Sequence, residues 1–241
     1  MKSEIKSSRS YEMDMCNGPL FGKILIYALP LMISGVLQLT FNAVDLIVVG
    51  RFAGSGPLAS VGSTSSLINL MLNLFIGLSV GANVLVAHYY GAGKIERIKK
   101  IAFICLGVVI AIGLVLGGTV TFFGDTLLRL YGTNDEETAY GLICLHYICR
   151  VYFLCGIMDV FVGLMRGMGY AFTPMIVSLT GACLLRIVWI MTVFQFFGTL
   201  DSLYLSYAVT WIVTASVHCV CFIHAYKKKR AMFAGGTTEG V

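Results

Sequence analysis

Asp45 lies inside an apolar run that begins near Ile24 and ends near Val49. A carboxylate in such a run can do one kind of chemistry well, which is to gain and lose a proton. With helical residues turning about 100° each and Asp45 taken as zero, Ser34 falls near about −20°, Gln38 near about +20° and Asn42 near about +60°. Four polar side chains therefore share one stripe about 80° wide. The next apolar run carries a second stripe, in which Asn69, Asn73 and Asn83, with Ser65 and Ser66, fall within about 100° of one another. Two facing polar stripes build a hydrated cavity rather than a lipid-facing surface. An ionised carboxylate at bilayer depth costs at least about 2.5–3.5 kcal/mol, and desolvation favours its protonated form. Such a group can couple a proton gradient to a change of shape. The competing reading of Asp45 is a structural interhelical hydrogen bond, worth about 0.6–2 kcal/mol. For the Asn and Gln stripes, interhelical bonding fits equally well.

Other polar groups sit inside apolar runs. Asp159 and Arg150 share one run and Arg186 lies in the next, so Asp159 could pair with Arg186 across helices, which would neutralise both. The segment HCVCFIH (218–224) places His218, Cys221 and His224 three residues apart on one helical face. Zinc requires a fourth ligand that is not visible, and no metal or other cofactor is expected. The chain has no Ser/His/Asp set, phosphate loop or pair of carboxylates at catalytic spacing, so an enzyme is not expected. The aromatics read as core and interface, not as a nucleotide platform.

The elements that position these residues follow from composition. Of 241 residues, 58% are hydrophobic and 12% charged, against about 25% charged in soluble domains. This is an all-α integral membrane protein in the reading of its sequence. A span needs about 20 apolar residues, and six such runs occur, at about 24–49, 57–87, 101–123, 139–165, 172–197 and 203–226. The second is long enough to require tilt, a kink near Gly77 or Gly81, or projection beyond the bilayer. Three GxxxG stretches, Gly77–Gly81, Gly113–Gly117 and Gly163–Gly167, permit close helix contact. Residues 1–19 form an N-terminal segment that does not read as a cleavable signal peptide, because Glu4, Glu12 and Asp14 precede a long apolar run. Residues 20–230 form the membrane domain, and a disordered tail is expected from 231 to 241.

Lys and Arg set the orientation. With the N-terminus in the cytoplasm, thirteen of them fall inside, only Arg51 and Arg129 fall outside, and Arg150 and Arg186 lie within spans. Both termini are then cytoplasmic, and the bilayer accounts for the net charge of +5 without nucleic acid. Eight cysteines lie mostly within apolar runs and form no CxxC, as expected of free thiols.

Residues 17–93, from NGPLFGKILIYALPLMISGVLQLTFNAVDLIVVG through RFAG to GLSVGANVLVAHYYGAG, resemble the opening of multidrug and toxic compound extrusion (MATE) transporters. The distinctive parts are the GPL opening, the ALP, the Q-x3-N-x2-D stripe, the VGRFAG turn and the GLSVGANVLVA run. GAGKIERIKK, GIMDVFVGLMRGMGYAFTPMIVSLTGACLLRIVW and LYLSYAVTWIVTASVH are similar to the same family, so the likeness covers nearly the whole chain. The resemblance implies a proton- or sodium-driven antiporter that expels lipophilic cations, in a bacterial-type inner (plasma) membrane. It also implies that Asp45, which matches the first-span acid, couples the ion. Ser34, Gln38, Asn42, Asn69, Asn73 and Asn83 would line the pocket. Asp159 does not align convincingly with the sodium-linked acids of the family's second lobe, which favours H+ over Na+.

The resemblance also sets an expectation about length. Family chains are about twice as long, with two six-helix lobes. Here the first part resembles the start of one lobe, and the part from GAGK (91–94) onward resembles the end of the other. Equivalent helices of parallel repeats run in the same direction, so an internal deletion between repeats would leave one hybrid six-span lobe. A working form would then be a homodimer about a two-fold axis. The alternatives are an inactive fragment and a flippase for lipid-linked substrates, which would need more intramembrane cations than Arg150 and Arg186.

Overall fold

The computed structural model describes residues 20–53, 55–130, 133–198 and 200–236. Its elements are α1 (Leu20–Ala53), α2 (Ser55–Gly91), α3 (Ile95–Leu130), α4 (Asp135–Gly167), α5 (Phe172–Ser178), a π-helical turn (Leu179–Leu184), α6 (Leu185–Met191), α7 (Val193–Phe197) and α8 (Leu200–Gly236). No strand occurs among the described residues. Among the described residues, five stretches are long and apolar enough to cross a membrane: Thr64–Gly91, Ile95–Leu130, Asp135–Gly167, Phe172–Phe197 and Leu205–Phe233. The first expected run, 24–49, lies within the 34-residue α1, many of whose side chains are outside the described residues.

The long second run is not broken at Gly77 or Gly81. α2 is continuous over 37 residues, about 55 Å at 1.5 Å per residue. That exceeds the roughly 30 Å hydrocarbon core, a surplus that tilt, a bend or projection beyond the bilayer would take up.

α4 is the central rod. It starts with a capping box, in which Asn134 Oδ1 accepts from the Glu137 amide at 2.8 Å and Glu137 Oε2 accepts from the Asn134 amide at 3.2 Å. It packs against α2, α3 and α8. Small residues allow the backbones to meet. A Cβ at Gly113 would stand 2.6 Å from Phe153 Cβ, and one at Gly163 would stand 2.3 Å from the Ser79 carbonyl oxygen. Only two of the three GxxxG stretches are contacts: a Cβ at Gly77 or Gly81 meets nothing within 4 Å. Gly163→Val should therefore lower stability by about 1–3 kcal/mol through overpacking against backbone. Gly77→Val should stay within about 0.5 kcal/mol. Thermal unfolding in detergent compares the two directly.

The fifth span is interrupted. The Leu185 amide donates to the Thr180 carbonyl, five residues back, which closes the π turn. A Cβ at Gly181 would lie 2.3 Å from Thr214 Oγ1, so glycine there admits α8. A second break falls at Thr192, whose hydroxyl donates to the Val188 carbonyl at 2.6 Å.

The expectation of a disordered tail from 231 is corrected in part. α8 runs to Gly236, because this end is anchored to its neighbours. Arg230 Nε pairs with Glu96 Oε1 at 2.8 Å, and Phe233 packs edge-on against Tyr90 with ring centroids 5.7 Å apart. Lys229 is almost fully buried, donates to the Tyr90 hydroxyl and lies over the Tyr90 and Tyr170 rings. α2, α3, α8 and the turn after α4 thus meet at one end of the bundle.

Candidate transport site

α2 has two unlike faces. Leu67, Met71, Phe75, Ser79, Ala82 and Val86 recur every three to four residues and are buried, as expected of a helix with one packed stripe. Asn69 and Asn73 lie about 200° round from Leu67 and Met71 and are exposed, while Asn83 is half-buried. Asn73 Nδ2 donates to the Asn69 carbonyl at 2.7 Å, which holds the lower amide against its own helix. The α2 amides therefore point away from α4, and they are not the glue of the α2–α4 contact. That contact uses Ser79, whose hydroxyl donates to the Asp159 carbonyl.

The backbone of Ser34, Gln38, Asn42 and Asp45 belongs to α1, which touches α2, α5 and the π turn. Their side chains lie outside the described residues.

Asp159 and Arg186 are not joined as an ion pair among the described residues. Arg186 is buried and lays its guanidinium over the Tyr207 ring, 3.7 Å from the centroid. A planar cation on an aromatic face gains about 0.5–2 kcal/mol. Asp159 is half-buried on α4, and its Oδ2 has no hydrogen-bond partner among the described residues. His218 is buried and meets Ser178 Oγ through Nε2 at 3.1 Å, whereas His224 is exposed and Cys221 is half-buried. The one-face pattern of HCVCFIH therefore splits between a helix–helix bond and the surface.

The residues that sequence reasoning passed over form an aromatic row across the lobe. Phe75 of α2 lies 5.8 Å from Tyr152 of α4, Tyr152 lies 5.4 Å from Trp211 of α8, and Trp211 lies 5.6 Å from Tyr207. Arg186 of α6 closes the row on Tyr207. Only the i, i+4 pair Tyr207–Trp211 leaves a trace in the sequence; the other links require the packing of separate helices.

Long apolar helices around a central rod, with amides on an open face, describe a multi-span membrane domain. The MatE family model matches residues 30–192, and the chain belongs to that family, the MATE transporters, which are not enzymes. It is 30% identical over 216 residues to "Probable multidrug resistance protein YoeA" of Bacillus subtilis (strain 168), covering 86% of this chain and 45% of that protein. It is 22% identical over 121 residues to "Multidrug export protein MepA" of Staphylococcus aureus (strain COL), covering 50% of this chain and 27% of that one. Among solved structures, a MATE protein crystallised with MaL6 superposes with a TM-score of 0.81 at 14% identity, over 89% of this chain and 49% of that chain. An outward-facing MATE transporter gives 0.73 at 24% identity, over 81% and 44%. These structural likenesses carry the fold. The chain spans about half the length, or less, of the curated relatives it matches.

Proposed function

We propose that this chain expels lipophilic organic cations from a bacterial-type plasma membrane in exchange for protons, as one half of a two-lobed transporter. The observation that carries this reading is the open amide face of α2. Asn69 and Asn73 project away from the packed core of a lobe whose family moves small molecules. Amides on such a face provide hydrogen bonds to a hydrated path without fixing a charge there. Asp45 on the neighbouring α1 supplies the exchangeable proton. A bound cation favours the ionised carboxylate and a bound proton removes that attraction, so the two ligands compete. Because each stabilises a different state of the lobe pair, the gradient of one drives the other. The second lobe is another copy of the chain, related by a two-fold axis. H+ is favoured over Na+ because Asp159 does not match the sodium-linked acids of the family's second lobe.

Competition predicts proton release on binding. When tetraphenylphosphonium is added to the purified protein in weakly buffered detergent, about one proton should appear per cation bound, the count expected of a single exchanging carboxyl. Binding without any change in pH overturns the exchange.

A further inference from the structure

Two basic stretches, 99–100 on α3 and 227–230 on α8, lie far apart in the sequence and meet at one end of the bundle. Glu96, in the first turn of α3, joins them. Its carboxylate accepts from Arg230 Nε at 2.8 Å and from the Tyr226 hydroxyl at 3.4 Å. One face of α3 is thus turned to one face of α8. At about 100° per residue, Lys99, Lys100 and Phe103 fall within about 60° of Glu96, and Ile223 and Lys227 fall within about 60° of Arg230. Lys99, Lys100, Lys227 and Arg230 are exposed, and so are Phe103 and Ile223.

These cations stand at the depth of a lipid phosphate. The apolar run of α3 starts at Ile101 and that of α8 ends at Tyr226, so Lys99, Lys100 and Lys227 sit at the ends of spans, level with the headgroups. Phe103 and Ile223 lie one helical turn further in, about 5–6 Å, where acyl chains begin. The Lys99 ammonium lies 6.0 Å from the centroid of the Phe103 ring, a cation at the boundary with an aromatic beside it. Glu96 is the one acid in the segments 95–104 and 220–236, and Arg230 already balances it. A cationic rim over an apolar floor is the complement of an amphiphile with an anionic head.

We propose that the furrow between the facing ends of α3 and α8 binds an anionic phospholipid, with its phosphate among Lys99, Lys100 and Lys227 and the start of one acyl chain along Phe103 and Ile223. Charge complementarity selects an anion, and depth selects a lipid. A soluble polyanion would meet the lysines and leave the apolar side chains beneath them unused. A lipid there would tie α3 to α8 beside the Glu96–Arg230 pair, and the site stands whether or not the transport reading holds.

Phe103→Trp puts an indole on the floor of the furrow, and the parent chain, with Trp189 and Trp211, supplies the fluorescence baseline. Each full-length protein is placed in phosphatidylcholine nanodiscs containing a small fixed fraction of brominated phosphatidylglycerol or brominated phosphatidylcholine. Quenching of the added indole should show about tenfold higher occupancy by the brominated phosphatidylglycerol, the preference expected of clustered cations facing a headgroup. Adding Lys99→Gln, Lys100→Gln and Lys227→Gln together should bring the ratio to within about twofold of unity. Lys94→Gln, Arg97→Gln and Lys228→Gln together remove the same charge from the same end but off the two facing surfaces, and should keep most of the preference. Ile223→Glu, which leaves every cation in place and sets an acid beneath them, should abolish it; this variant decides the matter if the furrow triple does not fold. Inorganic phosphate should displace the lipid no more than sodium chloride of equal ionic strength does. Equal quenching by the two lipids, a preference that survives both the furrow triple and Ile223→Glu, or one lost equally in the two triples overturns the proposal. Displacement by phosphate beyond the salt effect also overturns it, in favour of a soluble-anion site.

Discussion

Asp45→Asn should reduce pH-driven transport of an organic cation to the leak of protein-free liposomes while leaving the protein folded. The substitution keeps the size and one hydrogen-bonding oxygen of the side chain and removes its titration. A neutral amide holds the lobe in the equivalent of its proton-bound state, so a gradient no longer has a group to act on. Cation affinity should fall about ten- to a hundredfold as well, the worth of losing one charge-assisted contact of about 1.4–3 kcal/mol. Asp45→Glu keeps the charge and should restore part of the transport. A purely structural Asp45 behaves differently: the amide would preserve an interhelical hydrogen bond, and gradient-driven uptake would continue. Fluorescent cation uptake in matched proteoliposomes separates these outcomes, with near-ultraviolet circular dichroism as the check on folding.

Trp211→Ala should be the most destabilising single change among the described core residues. Trp211 is buried and joins Tyr152 of α4 to Tyr207 of its own helix, with both rings edge-on. Deleting a buried Trp side chain costs about 3–5 kcal/mol in water-soluble proteins. In lipid the transfer part is weaker, because the unpacked side chain would meet apolar tails, while the lost dispersion contacts and the cavity remain. A loss of about 2–4 kcal/mol is expected. Tyr207 would also lose a neighbour that helps hold its ring under Arg186, so Tyr207→Ala and Trp211→Ala should combine non-additively. Ile212→Ala, one residue on and exposed, should stay within about 0.5 kcal/mol. Thermal melts of the three variants in one detergent give the ordering.

The parts of this architecture that were legible in the sequence are those set by single helices. Apolar runs long enough to cross a bilayer mark α2, α3, α4, the broken fifth span and α8, because hydropathy is a local property. The Asn69–Asn73 face was legible for the same reason, since both residues and the packed stripe opposite them belong to one helix. What failed was set by partners. Gly77–Gly81 has the same spacing as Gly163–Gly167, but only the latter faces another backbone. Charge alone left the partner of Arg186 open, and its contact with the aromatic face of Tyr207 depends on a separate helix. The end of α8 looked like a small polar tail after Arg230; Phe233 extends it as helix because Tyr90 of another helix is there to meet it. The π turn at Leu179–Leu184 has no signature beyond Gly181, whose role is visible only once Thr214 lies against it.

The proposed exchange pairs two copies of the chain as the two lobes of one transporter. The direct measurement is accumulation of a fluorescent organic cation by liposomes that contain only this purified chain, with the interior made acidic relative to the outside. The predicted result is uptake against the cation's own gradient, which stops when the pH difference is collapsed and which rises more steeply than linearly with protein-to-lipid ratio while dimers are forming. Folded protein that gives the same uptake with and without the pH difference, at every protein density, would contradict proton-driven exchange by this chain.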